Sequence, residues 1–196
     1  MKSVLKLLPL LLCLLCLGCT PIETPAPTSS TAPQRAGLPG TTPCARILQD
    51  IWGKYDPEDQ FIVYGGMLRR PVSDAPGDLD MEQFPLWLSQ YHLPANHQEN
   101  LLEGASLHHL LDSNLFTAVA FRVKPESLAS LARDWRLELL KSHWVNEPPE
   151  RLLLAKIDEK NLVMCFGSRH HTKNFQRMLL YAFPSAKILS SQPIPL

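Results

Sequence analysis

An excess of charge of either sign is what this 196-residue sequence lacks first: 19 lysines and arginines stand against 19 aspartates and glutamates. Nucleic-acid binding needs a basic stripe on a strongly basic domain, so that partner class is set aside. No apolar run is long enough to stay in a membrane. The longest, Leu7 to Leu17, is interrupted only by Pro9, and it falls short of the roughly 20 residues that cross about 30 Å of hydrocarbon. Catalytic signatures are missing as well. There is no Gly-x-Ser-x-Gly elbow, no glycine-rich phosphate loop and no paired-carboxylate pattern, and Ser168 follows Gly167 without a second glycine. Seven histidines are present, at 92, 97, 108, 109, 143, 170 and 171, and none stands three or four residues from another. No helix face therefore offers two metal ligands, neighbours on a helix diverge, and neither a metal nor a cofactor is expected.

What is present begins at the first residue. Lys2 and Lys6 form a positive leader, Leu7 to Leu17 an apolar stretch, and Gly18 places a small residue before Cys19, which together read as a cleaved export signal over residues 1–19. The ending Leu17-Gly18-Cys19 resembles the lipobox of bacterial lipoproteins, with Cys16 where leucine is preferred and Leu17 where a small residue is usual. That resemblance implies lipidation of Cys19. Two or more acyl chains, at about 0.8 kcal/mol per buried methylene, then hold the chain stably on the membrane. Thr20 is not aspartate, which in this family points to the outer membrane, facing the periplasm. Plain secretion with Cys19 as an ordinary thiol is the other reading.

Removing residues 1–19 takes away Lys2 and Lys6 and leaves a net charge of about −2. Two further thiols remain, Cys44 and Cys165, and in an oxidising compartment two cysteines predict one disulfide, closing a loop worth about 4–5 kcal/mol in the chain-entropy model. The alternative makes Cys165, between Met164 and Phe166, a small buried hydrophobe.

Residues 20–43 carry six prolines and six threonines and almost no large apolar side chains, so they read as a disordered tether spanning roughly 27 Å or more. A single α+β globular domain follows over 44–196. Thr42-Pro43 opens a helix with Ile47, Leu48, Ile51 and Trp52 on one face. Phe61 to Tyr64 reads as a strand ended by Gly65-Gly66, and Arg69 to Gly77 as a loop. A second helical region over 79–111 buries Phe84, Leu86, Trp87 and Leu88, then restarts at Asn96 with Leu101, Leu102, Leu107, Leu110 and Leu111, where Gly104 interrupts it.

From Phe116 onward the periods switch in the order strand, helix, strand, strand, helix, strand, ending with Ala186 to Ser190. This is the split βαβ or ferredoxin-like plan over about 116–190, in which both helices cover one face of a four-stranded sheet. Leu162, Met164 and Phe166 point one way and Val163 and Cys165 the other, so the sheet is apolar on both faces. The helices at 43–54 and 79–111 are expected to form the second cover and to bring Cys44 towards Cys165.

One polar cluster sits where an anion could bind: Ser168, Arg169, His170 and His171, at a helix start with free N–H groups. A cap with solvated basic neighbours explains it equally. Trp144, between His143 and Pro148, is a candidate exposed and adhesive aromatic. The functional expectation is a non-catalytic lipoprotein, anchored in the membrane, that binds a protein partner in an envelope assembly of the secretion, pilus or conjugation type. Such a protein should expose an apolar patch of several hundred Å². The alternative is an envelope hydrolase using a histidine from 168–171, which requires a pocket beside that cluster.

Overall fold

The computed structural model describes residues 39–144 and 147–195. The expected signal segment, Cys19 and residues 20–38 of the expected tether lie outside the described residues, whereas residues 40–43, expected to be part of that disordered tether, are hydrogen-bonded to the body and open its first helix. Gly40 N–H donates to Pro76 O at 3.0 Å. Asp78 fixes the next two residues, accepting from Thr41 N at 2.9 Å and from the Thr42 hydroxyl at 2.5 Å. Thr42 in turn accepts from Ala45 N at 3.2 Å and caps α1 (Pro43–Trp52), with proline at its first position as the sequence predicts.

Eight strands form one antiparallel sheet: β1 (Val63–Met67), β2 (Arg70–Ser73), β3 (Gly77–Asp78), β4 (Leu101–His109), β5 (Phe116–Val123), β6 (Arg151–Lys156), β7 (Asn161–Gly167) and β8 (Lys187–Pro193). Their spatial order is β2-β1-β4-β5-β7-β6-β8, with β3 also on β4. The other helices are α2 (Phe84–Tyr91), α3 (Leu128–Lys141) and α4 (Arg169–Ala182). Among the described residues no helix is long and apolar enough to cross a membrane.

Several expectations are corrected. Residues 101–109 are a strand, not a helix, and 70–73 is a strand within the expected loop. Leu101, Leu102 and Leu107 imitate a helical stripe because β4 is paired on both edges and covered on both faces, so it shows no clean alternation. Gly104 marks the strand, for a Cβ there would lie 2.6 Å from the Phe121 ring on β5.

The closing strand also differs. In the split βαβ plan both helices share a face, whereas here α4 packs with α1 on one face and α3 with α2 on the other. The cause is topological. β4 occupies the free edge of β5, so β8 pairs with β6 instead. The steps β5-α3-β6 and β7-α4-β8 then run the same way across the sheet from antiparallel strands, and right-handed crossovers place their helices on opposite sides. Each face is thus covered by one amino-terminal and one carboxy-terminal helix.

A further correction concerns the cysteines: Cys44 and Cys165 are both free and buried. Cys44 Sγ lies 3.8 Å from Glu103 O, and Glu103 stands opposite Arg122 on β5, while Cys165 stands opposite Ala118. Four residues of strand, on the order of 13 Å, separate those levels. A disulfide needs Cα atoms within about 7 Å, so the thiols serve as small core residues, and burial pushes both upward in pKa.

Candidate binding surface

β4 turns His108 towards the α2 side, where it is fully buried and met from three elements. Thr117 Oγ1 on β5 lies 3.0 Å from Nδ1, the Tyr91 hydroxyl on α2 lies 3.1 Å from Nε2, and Tyr64 on β1 stacks on the ring at 4.9 Å. The single hydroxyl proton of Thr117 goes to Ser113 O at 2.9 Å. His108 therefore donates its Nδ1–H to Thr117 and accepts from Tyr91 at Nε2, which fixes the neutral tautomer. Burial brings the His108 pKa down to about 3 and pushes that of Tyr91 up.

Tyr64 and Gln90 carry this buried network to the surface, where they line a groove of about 570 Å³ with Met67, Leu68, Pro85 and Leu86. The local sequence explains the lining. Pro85 opens α2, whose Phe84, Trp87 and Tyr91 fall on the buried face, so Leu86 projects away from the core and is 56% exposed, against the expectation that it is buried. Leu68, between β1 and β2, is 62% exposed. A second hollow of about 350 Å³ shares Tyr64 and Leu68 and adds Ile62, Pro71 and Leu110. Ile62 is 62% exposed, and Leu111, which follows Leu110 in the chain, is 85% exposed. Exposed apolar side chains scattered singly are ordinary; a strip joining two hollows is not.

The cluster at 168–171 is arranged differently. Ser168 caps α4, its hydroxyl accepting from His171 N at 3.2 Å, and Arg169 N donates to Glu150 Oε2 at 2.9 Å. Two of the helix-start N–H groups thus already face the chain's own oxygen atoms. Arg169 and His170 are exposed, and His171 is half-buried against Phe61 at 4.3 Å, with His170 and His109 rings at 5.4 and 6.0 Å. Burial, then His170 and His109, lowers the His171 pKa. Among the described residues no group of three or more His, Cys, Asp or Glu could hold a metal ion.

Two of the remaining histidines, His97 and His92, have structural partners. His97 is buried between Asp134 and Asn100, at 3.0 and 3.2 Å. His92 takes the left-handed position after α2, and its Nδ1 lies 2.7 Å from the Ser142 hydroxyl, whose one proton goes to Glu138 O, so that Nδ1–H donates to Ser142. His143 is exposed. Trp144 is half-buried rather than a free adhesive aromatic, packing on His92 at 4.3 Å and Phe166 at 5.2 Å.

No family model, curated protein or solved structure matches this chain. Its site is therefore argued from geometry. The groove offers apolar contact above a floor whose hydrogen bonds are already made, which suits burial of another apolar surface. Sequence reading missed it because Leu68 and Leu86 acquire meaning only when the β1–β2 turn and α2 stand side by side.

Proposed function

We propose that this chain is a lipid-anchored protein of a bacterial envelope, held through Cys19 on the periplasmic side of the outer membrane. Its body docks a protein partner of an envelope assembly in the groove of Tyr64, Leu68 and Leu86. The observation that carries the binding reading is the exposed apolar strip from Leu86 through Leu68 to Ile62, which leaves large side chains in water that a partner would bury. Leu17-Gly18-Cys19 and the proline- and threonine-rich segment after it support the anchor and give the body reach.

The test combines fractionation, mass spectrometry and capture. An acylated Cys19 peptide in the membrane fraction, shifted to the soluble fraction by Cys19→Ser, supports the anchor. A partner recovered with the native chain and lost with Leu68→Asp supports the groove. An unmodified soluble protein with no partner contradicts both and moves the envelope hydrolase ahead.

A further inference from the structure

The opposite edge of the sheet carries a second feature, independent of the groove. Among the described residues β8 is paired on one side only, with β6, so its outer edge leaves backbone N–H and C=O groups without a strand partner along residues 187–193. The α3 side of this edge is a shelf rather than a covered face. A hollow of about 410 Å³ lies there, floored by Leu154 and Leu189 and walled by Ala132, Arg133 and Arg136 of α3, with Lys156 at its end. Lys156 stands directly opposite Lys187 across the β6–β8 ladder, so the two ammonium groups share this face. Like charges placed so are destabilising by themselves.

Four cations thus converge on one strip. Arg133 is held by Asp134 at 2.9 Å and Lys156 by Glu159 at 2.6 Å, each pair partly or largely exposed. Arg136 is half-buried and has no ion pair among the described residues. In a chain whose charges otherwise balance, this is a local excess of positive charge beside an open strand edge.

We propose that β8 is a docking edge for an extended acidic segment of a partner protein, which adds as a ninth strand and lays its carboxylates against Arg133, Arg136, Lys156 and Lys187. Main-chain hydrogen bonds to the edge supply affinity, and alternate side chains supply selectivity. An added strand lies about 4.8 Å beyond β8, within reach of arginine side chains on α3. The lysine at 187 opposes a basic strand and favours an acidic one, since like charges facing each other across a ladder repel and opposite charges attract.

The test uses the full chain and labelled peptides of about eight residues, the length of an ordinary strand. One alternates glutamate and valine; a second has the same charge but is N-methylated along one edge; a third replaces glutamate by lysine. The glutamate peptide should bind and slow amide exchange across 187–193. The N-methylated and lysine peptides, and the variant Arg136→Glu with Lys156→Glu, should each weaken binding at least about tenfold. The thermal midpoint of that variant should stay near the native value, because Lys156→Glu exchanges its pair with Glu159 for one with Lys187 opposite, and Arg136 has no ion pair among the described residues to lose. Equal binding of the N-methylated peptide would show charge attraction without strand addition and overturn the proposal. So would indifference to charge reversal, or binding of phosphatidylglycerol vesicles in place of the peptide.

Discussion

His108 is the residue whose surroundings make the sharpest demand. Its imidazole is neutral in the folded state down to about pH 3, while in the unfolded chain it takes up a proton below its ordinary value near 6.5. Between those values the unfolded state binds more protons, so this group's contribution to stability is intact above about pH 6.5 and is lost as pH falls. Denaturant titrations between pH 7 and 4 should show a loss approaching about 1.4 kcal/mol per pH unit from this group, and His108→Gln should flatten the slope. An unchanged slope would contradict the burial argument. Thr117→Val leaves Nδ1–H without its acceptor and should cost about 1–3 kcal/mol, read as a shift in denaturant midpoint. The two thiols give a second test at this scale. Alkylation of native protein should spare the Cys44 and Cys165 peptides, unfolding should expose both, and reductant should leave the midpoint unchanged. A linked peptide pair would contradict the packing.

At the scale of elements, α1, α3, α4 and the β6–β7 hairpin are legible in the sequence because each is decided locally. Thr42-Pro43 caps and starts α1, Ser168 caps α4, and Asp158 accepts from Lys160 N and Asn161 N to close the hairpin turn. β4 is not legible, since its character comes from neighbours on both edges and both faces. Gly104 is the residue that betrays it: as a helix breaker it weakens one reading, and as the seat of the Phe121 ring it belongs to the other. Gly104→Ala should therefore destabilise by about 1–3 kcal/mol through overpacking. Combining it with Phe121→Leu should cost less than the two single changes together, since the smaller side chain relieves the contact. Additive losses would mean that the ring and the glycine do not share the site.

For the whole molecule, sequence reading captured the alternation of both sheet faces along β7 and the order of elements from β5 to β8, but not which strand lies beside which. Pairing of β8 with β6 rather than β5 is a non-local consequence of β4 taking the edge of β5, and from it follows the distribution of α3 and α4 over opposite faces. The same long-range assembly creates the groove, with Tyr64 and Leu68 from the β1 region and Leu86 from α2. The cluster at 168–171 was visible as a motif, yet the partner of Arg169 N, Glu150, comes from just before β6 and could not be read from the spacing.

The docking role of the groove is tested most directly by site-specific photocrosslinking in intact cells. A photoreactive residue at Leu68 or Leu86, with Tyr181 on α4 as an exposed control, should give one discrete adduct of the same mass from both groove positions. That adduct should be absent from the control and abolished when Ile62→Asp is added to either groove probe. No adduct from the groove, or the same ladder of products from all three positions, would contradict the account.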